Sequence, residues 1–217
     1  WTRSFVGFRY FSRAEPNECH KTLAALERSG GIGSGLITQN VDGLHSAAGS
    51  NHVVDLHGRI DQVECLGCGA VSPRAALQER LRAANAAWAA SIEPLLPSEI
   101  RADGDSEIAE AKDFVVPSCE ACGDGVLKPH VTFFGGSAPP AKVQAAAAAA
   151  AGCDGLLVLG SSMQVFSAFR IARAAAQNGV PIAILNNGPT RADDLASLRV
   201  AADVTETLPR VMEEIGI

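Results

Sequence analysis

The sequence predicts an α/β fold, a doubly wound parallel sheet that carries a small inserted module. Short apolar runs alternate with helical stretches along most of the chain, and this rhythm is typical of parallel strands joined by right-handed crossover helices. The stretch between residues 64 and 125 differs, because it holds two Cys-x-x-Cys pairs and an acidic segment. We therefore place the inserted module at residues 63–126 and the α/β domain at residues 1–62 and 127–217.

Each predicted element depends on its local pattern. Four short apolar runs predict buried strands, at residues 35–38, 53–56, 156–159 and 181–185. Helices are predicted at residues 13–28, with Pro16 in the first turn, at residues 140–151, which include seven consecutive alanines, and after a Gly-Ser-Ser sequence as far as Gln177. Residues 127–134 are expected to be extended, and residues 103–110 to form a solvated loop or the start of a helix.

The composition excludes several classes of protein. Of 217 residues, 47% are hydrophobic and 19% are charged, which is the profile of a globular chain and not of a disordered one. No apolar run approaches the ~20 residues that a membrane-spanning helix needs. The formal net charge of −6 supplies no basic surface for nucleic acid. We therefore expect neither a membrane nor a nucleic acid as a partner.

Four of the six cysteines are candidate metal ligands. They form two pairs with the spacing of zinc ligands, and glycines beside each pair permit the tight turns that aim two sulfurs at one ion. The four are Cys65, Cys68, Cys119 and Cys122. Because all four ligands are thiolates, no position remains for a catalytic water, and we expect one structural zinc. Cys19 and Cys153 are interpreted as ordinary buried thiols, and the pattern as a whole indicates a reducing, intracellular compartment.

Polar residues follow all four predicted strands. In chain order they are Gln39, Asn40 and Asp42, then His57, then Gly160, Ser161 and Ser162, then Asn186. Ligands bind at the carboxyl edge of an open parallel sheet, and a Gly-Ser-Ser sequence that opens a helix can cradle a phosphate. Each residue alone is more often a cap or turn residue, whereas the four groups together favour a nucleotide. His57 is a candidate general base, with an ordinary hydrogen-bonded histidine as the alternative.

These motifs resemble those of the sirtuins, the NAD-dependent protein deacylases. The resemblance is carried by TQNVDGLH at residues 38–45, Ala-Gly at 48–49, LHG at 56–58, the two cysteine pairs, LKPHVTFFG at 127–135, GSS at 160–162 and Asn186, in the family's order. It extends from Arg9 to Leu208. Residues 160–167 and 185–195 are most similar to the class II branch, which includes a mitochondrial sirtuin of the lipoamidase and ADP-ribosyltransferase type.

The resemblance implies a Rossmann-like NAD-binding domain and a role for each matched residue. His57 would be the general base that deprotonates a ribose hydroxyl of NAD, so that the acyl group of an acyl-lysine substrate passes to ADP-ribose and nicotinamide leaves. The implied NAD-binding residues are Gln39, Asn40, Val41, Asp42, Gly160, Ser161, Ser162, Asn186, Asn187, Gly188 and Val204. The implied substrate-binding segment is Val131, Thr132, Phe133, Phe134 and Gly135, and ordinary core packing is the alternative for its two phenylalanines.

Two departures from the family pattern accompany the resemblance. Residues 1–11 resemble the helical region that follows the family's first strand and its Gly-rich loop, so we expect both to be missing and the sheet to have a gap between the strands at 35–38 and 156–159. Gly136 stands where the family usually has an acidic residue facing the peptide, which puts the substrate preference in question.

Other functions and two locations remain open. A protein ADP-ribosyltransferase would use the same site, and a non-catalytic fragment that binds zinc and peptide would lack the Gly-rich loop. A bacterial protein of this kind is expected in the cytoplasm, and a eukaryotic one in the mitochondrial matrix.

Overall fold

The computed structural model describes residues 1–33, 35–92 and 112–216, so the predicted segment 103–110 lies outside the described residues. The described chain forms two units. The first consists of Trp1–Ala14, Val41–Gly43 and Gly58–Val131, and the second of Glu15–Asn40, Leu44–His57 and Thr132–Ile217. None of the described helices is both long and apolar enough to cross a bilayer.

The second unit contains the parallel strands and five helices. Strands β1 (Leu36–Thr38) and β2 (Val53–Asp55) form one parallel pair, and β6 (Leu156–Leu159), β7 (Ile182–Leu185) and β8 (Leu198–Val200) form a parallel sheet in that order. The helices are α2 (Glu18–Arg28), α3 (Leu44–Ala47), α6 (Pro140–Ala151), α7 (Phe166–Gln177) and α8 (Val204–Glu214). The α/β class is therefore confirmed, and a 3₁₀ turn at Asp193–Leu195 precedes β8.

Helix α7 shows how the apolar pattern selects the helical contacts. Its buried residues are Ala168, Ile171, Ala172 and Ala175, which recur at the three- and four-residue spacing of one helix face. Three of them, the alanines, share a core cluster with Val158, Ile182 and Ile184 of strands β6 and β7. Small side chains on this face allow the helix to lie close to the sheet.

Helix α2 begins later than the sequence predicts. We expected a helix from residue 13, but it starts at Glu18, because the side chain of Asn17 accepts a hydrogen bond from the His20 amide at 3.1 Å and caps the first turn. Pro16 therefore precedes the helix. The predicted helix at residues 140–151 and the predicted strand at 156–159 have the observed bounds.

Strands β1 and β6 each have one open edge among the described residues. Strand β1 pairs with β2 alone and β6 with β7 alone, so among these residues the two strands do not pair with each other. The amides of Leu156 and Gly160 donate towards β7, to the carbonyls of Pro181 and Leu185. Because successive amides of a strand point to opposite edges, those of Leu157 and Leu159 face the open edge.

The first unit holds an antiparallel sheet and the cysteine pairs. Its elements are α1 (Thr2–Phe11), β3 (Gly58–Cys65), β4 (Val71–Pro73), α4 (Arg74–Ala84), α5 (Ala86–Ser91) and β5 (Leu127–Val131), with the strand order β4-β3-β5. Its core contains Phe5 and Val6 of α1 together with Val63, Leu81 and Leu127.

This division differs from the boundaries that the sequence suggested. Residues 1–14 and 58–62 belong with the cysteine pairs, because α1 packs on β3 and because β3 is one continuous strand from Gly58 to Cys65. Residues 127–131 join them as β5, the antiparallel partner of β3. The predicted extended segment 127–134 therefore ends as a strand at Val131.

Arg74, the first residue of α4, is buried in the first unit with 0% exposure. Its guanidinium carbon lies 5.2 Å from the centre of a Trp1 ring and 4.7 Å from that of Phe8, and its Nη2 donates to the Ser4 carbonyl at 3.4 Å. Its Nε and Nη1 atoms have no hydrogen-bond partner among the described residues. Burial lowers the pKa of Arg74 to about 10, so the side chain is charged at neutral pH and its charge opposes folding.

We expect Arg74→Met and Arg74→Ala to have different effects on stability. Methionine keeps most of the buried volume and removes an unpaired charge, so the free energy of unfolding should stay the same or rise. Alanine leaves a cavity and should cost about 2–5 kcal/mol. Urea unfolding at neutral pH measures both variants. An equal loss in both would show that the guanidinium contacts with Trp1 and Phe8 outweigh the cost of burying the charge.

Hydrogen exchange tests the open edge of β6. The amides of Val158 and Gly160 lie on the β7 side and should be protected, whereas those of Leu157 and Leu159 should exchange with little protection. Residue-resolved exchange by NMR separates the two sets. Equal protection along the strand would mean that something pairs with this edge in solution.

Candidate active site and metal centre

The carboxyl ends of β1 and β6 converge in the second unit. Gln39 follows β1 and Ser161 follows β6, and the Gln39 Nε2 donates to the Ser161 Oγ at 2.8 Å. The same Ser161 oxygen accepts from the Met163 amide at 3.2 Å. This contact brings together two polar groups that the sequence placed at one edge of the sheet.

His57 follows β2 by two residues and lies half-buried at this edge. Its Nδ1 is 3.2 Å from the Gln39 carbonyl oxygen, and its Nε2 is 2.9 Å from the Ser167 Oγ. A carbonyl oxygen can only accept a hydrogen bond, so we assign the proton of the neutral ring to Nδ1. Nε2 then carries the lone pair of the ring, which faces the Ser167 hydroxyl.

The Gly-Ser-Ser sequence lies in a loop, which corrects the expectation that it opens a helix. Helix α7 starts at Phe166. The Gly160 amide donates to the Leu185 carbonyl at 3.0 Å and is therefore not free to bind a phosphate. Gly160 has a φ of +57°, and a Cβ atom there would lie 3.5 Å from the Val204 side chain. The hydroxyls of Ser161 and Ser162 therefore lie in a loop, and they are not at the N-terminus of a helix, where the helix dipole would favour an anion.

Residues Asn186, Asn187 and Gly188 follow β7 and form a turn of their own. The Asn186 Nδ2 donates to the Gly188 carbonyl at 2.8 Å. Hydrogen bonds from Thr205, and one from the Asn187 side chain, hold the pKa of Asp203 below its usual range. Asp203 also caps α8, whose first residue is Val204. The turn after β7 and the start of α8 are therefore linked through the Asp203 carboxylate.

The predicted cofactor residues after Gln39 fall in two units. Asn40 is exposed, and its amide donates to the Thr38 Oγ1 at 3.1 Å in the second unit. Val41 and Asp42 belong to the first unit, where the Val41 carbonyl accepts from the Ile60 amide at 2.8 Å.

The predicted substrate segment leaves its strand at Val131. In the second unit the Thr132 amide donates to the His57 carbonyl at 2.7 Å, and Phe133 and Phe134 are 56% and 95% exposed. The alternative of ordinary core aromatics is therefore wrong for both. Gly135 has a φ of +83° at the turn that follows, and in the first unit Val131 lies opposite Gly58 in the sheet.

The four paired cysteines form one cluster in the first unit. Each offers a sulfur, and all four sulfurs lie within 4.8 Å of one another. The Sγ atoms of Cys65 and Cys122 are 3.7 Å apart, and those of Cys68 and Cys119 are 3.9 Å apart. Four thiolates at the Zn–S bond length of about 2.3 Å, arranged tetrahedrally, would be separated by about 3.8 Å. The geometry of the sulfurs fits one zinc ion.

The surroundings of the cluster also suit a metal. Gly125 packs against two of the sulfurs, since a Cβ atom there would clash with the Cys65 Sγ and lie 2.7 Å from the Cys122 Sγ. A hydrogen bond from the Cys68 amide is the main cause that lowers the pKa of the Cys65 thiol to about 7. In the same cluster, burial is the main cause that raises the pKa of the Cys122 thiol to about 12. A zinc ion at the centre would stabilise the thiolate form of all four sulfurs.

Sequence reasoning missed Ser167 as a partner of His57. The two residues are 110 positions apart and belong to no shared motif. Alternating apolar and polar patterns place Ser167 near the start of a helix but do not show which residue it faces. Only the packing of α7 on the sheet brings its hydroxyl to the imidazole.

The fold and the site define an α/β protein whose second unit gathers polar side chains at the carboxyl ends of its strands and whose first unit holds a four-cysteine cluster. The Sir2 family model matches residues 2–167. The chain is 48% identical over 202 residues to NAD-dependent protein deacetylase 2 of Bradyrhizobium diazoefficiens, covering 92% of this chain and 71% of that protein. The chain therefore belongs to the Sir2 family, the sirtuins, as the motifs predicted.

Solved structures agree with this assignment. The chain is similar to a Sir2 bound to an acetylated peptide, with a TM-score of 0.76 and 30% identity, over 95% of this chain and 74% of that one. It is also similar to a complex of Sir2 with a p53 peptide and NAD⁺, with a TM-score of 0.75 and 30% identity, over 95% and 72% of the two chains.

We expect the purified protein to contain one zinc ion per chain, held by the four cysteines. Cys122→Ala should lose the metal and lower the melting temperature, because metal binding and folding are coupled in such small sites. Elemental analysis and thermal unfolding measure the two effects. Cys153→Ala is the matched control, since its sulfur donates to the Ala150 carbonyl in the other unit. Absence of zinc from the wild type, or unchanged melting of Cys122→Ala, would contradict the prediction.

Proposed function

We propose that this protein is an NAD-dependent protein-lysine deacylase, which transfers the acyl group to ADP-ribose and releases nicotinamide. The observation that carries the proposal is His57, whose Nε2 is left with a lone pair by the contact of Nδ1 with the Gln39 carbonyl. It stands at the sheet edge where Gln39 and Ser161 meet. Relatives that are named NAD-dependent deacetylases support the same activity.

The residues at this edge have the chemistry that NAD recognition needs. Amide and hydroxyl groups can donate to and accept from ribose hydroxyls and phosphates, and we assign such contacts in the second unit to Gln39, Asn40, Gly160, Ser161, Ser162, Asn186, Asn187, Gly188 and Val204. The resemblance to the family also assigns Val41 and Asp42, which belong to the first unit. NAD, when bound, supplies the ribose carbon that receives the acyl oxygen. His57 Nε2 accepts the proton of a ribose hydroxyl, and the Gln39 carbonyl steadies the ring while it is charged.

We assign the segment from Val131 to Gly135 to the acyl-lysine substrate. Two observations support this assignment. Phe133 and Phe134 are exposed, and the Thr132 amide beside them donates to the His57 carbonyl. An extended peptide can add its main-chain hydrogen bonds to such a segment. Gly136 offers no side chain to a basic peptide residue, so the substrate preference is expected to differ from that of a sirtuin with an acidic residue there.

We also propose that β1 and β6 flank the position of one further parallel strand, which would carry the family's Gly-rich loop. The support is the open edge of each strand. The Gln39 Nε2 donates to the Ser161 Oγ at 2.8 Å, so the side chains that follow the two strands meet in the same place. The amino-acid sequence of residues 160–167 and 185–195 is most similar to that of the class II branch, which supports membership of that branch.

The cysteines bear on the location of the protein. All six are free and four of them are clustered, which is typical of a reducing compartment. We propose an intracellular protein, cytoplasmic in a bacterium or in the mitochondrial matrix in a eukaryote.

Product analysis tests the activity. The protein is incubated with NAD⁺ and peptides carrying acetyl-lysine or longer acyl-lysines, and the products are identified by mass spectrometry. Nicotinamide, free lysine peptide and O-acyl-ADP-ribose in equal amounts support deacylation. Label transferred from NAD to protein, without loss of acyl groups, would establish the ADP-ribosyltransferase instead. If a zinc-loaded chain forms neither product, the alternative of a non-catalytic fragment that binds zinc and peptide is supported.

His57→Ala should abolish deacylation, with a loss of about 10²–10⁴-fold in turnover, because a general base acts mainly in the chemical step. Binding of NAD, measured by calorimetry, should remain nearly unchanged, whereas Asn40→Ala and Asp42→Ala should damage both binding and turnover. His52→Ala is the control, since its exposed ring pairs with Glu27 at the other end of β2. Turnover above about a tenth of wild type in His57→Ala would contradict the assignment.

A further inference from the structure

The imidazole of His57 has a second partner that the proposed reaction does not use. Ser167 is the second residue of α7, lies half-buried, and has its Oγ 2.9 Å from the His57 Nε2. The Gln39 carbonyl lies 3.2 Å from the opposite ring nitrogen. The ring is therefore held at both nitrogens, by groups from two different parts of the chain.

The two partners differ in what they can do. A carbonyl oxygen only accepts, whereas a hydroxyl both donates and accepts. When the ring is neutral with its proton on Nδ1, Ser167 donates to the lone pair of Nε2. When Nε2 has taken up a proton, the same oxygen can accept a hydrogen bond from it. Ser167 therefore complements the ring in both protonation states, which neither alanine nor another purely apolar residue could do.

Helix α7 holds this hydroxyl in place. The helix buries Ala168, Ile171 and Ala172 directly after Ser167. At its start, the amides of Ala168 and Phe169 both donate to the Val165 carbonyl at 3.1 Å. Ser167 therefore stands on a rigid, packed turn, and its direction is set by the packing of the helix on the sheet.

We propose that Ser167 is a positioning residue, which acts through His57 by fixing the direction of Nε2, while the Gln39 carbonyl sets the tautomer with its proton on Nδ1. The effect of Ser167 on the reaction rests on the proposed function. The ring geometry itself is a property of the protein without any ligand. It can be measured whether or not the protein turns over a substrate.

Imidazole ¹⁵N NMR tests the proposal directly. In mildly alkaline buffer the wild type should show one resolved tautomer for His57, with a protonated Nδ1 and an unprotonated Nε2. The protein has five histidines, and the His57→Ala spectrum identifies the signals that belong to this ring. Ser167→Ala should keep this tautomer but shift the Nε2 resonance, because the lone pair loses its hydrogen-bond donor, and Ser167→Thr, which keeps the hydroxyl, should restore the wild-type shift.

Two NMR results would contradict this role of Ser167. A wild-type spectrum with the proton on Nε2, or a Ser167→Ala spectrum identical to that of the wild type, would overturn the proposal. Ser197→Ala is the matched control, because Ser197 is exposed and lies in the same unit. Far-UV circular dichroism of each variant checks that the fold is intact.

Kinetics supply a second readout. Ser167→Ala should lower kcat about three- to tenfold, the rate equivalent of one neutral hydrogen bond, with the KM for NAD unchanged. Ser167→Thr should recover most of the loss. A rise in KM alone would assign Ser167 to cofactor binding and overturn the proposal. If the wild type itself releases no nicotinamide, the proposed function fails, whereas the NMR result still decides the role of Ser167.

Discussion

Parallel strand pairing in register is the constraint on which the active site depends. Thr38 lies opposite Asp55 in the β1–β2 pair, so the residues that follow both strands emerge side by side. The Leu56 amide continues the ladder by donating to the Thr38 carbonyl at 2.9 Å. His57 is the next residue, and its ring meets the carbonyl of Gln39, the residue after Thr38. A shift of one residue in this register would turn His57 to the other face of the sheet.

The same constraint explains which parts could be predicted from the sequence. Apolar runs and alanine propensity identify buried strands and helices, and the observed bounds of α6 and β6 match the prediction because no side chain competes with the pattern there. The four cysteines could also be assigned, since their spacing and chemistry are local signals. Polar residues after strands indicate a site at the sheet edge because all parallel strands end on the same side.

The predictions that failed depended on local hydrogen bonds that composition does not reveal. The side chain of Asn17 caps α2 and shortens the expected helix. The Gly160 amide continues the β6–β7 ladder by donating to the Leu185 carbonyl, and helix α7 starts only at Phe166. The partner of His57 could not be found at all, because Ser167 reaches it only after α7 has packed on the sheet. Long-range contacts of single side chains leave no periodic signal in a sequence.

His57 also connects the base to the segment assigned to substrate. Its backbone carbonyl accepts the Thr132 amide, while its ring is held between Gln39 and Ser167. Because backbone and ring belong to one residue, His57 joins the segment at Thr132 to the sheet edge at Gln39 and to the start of α7.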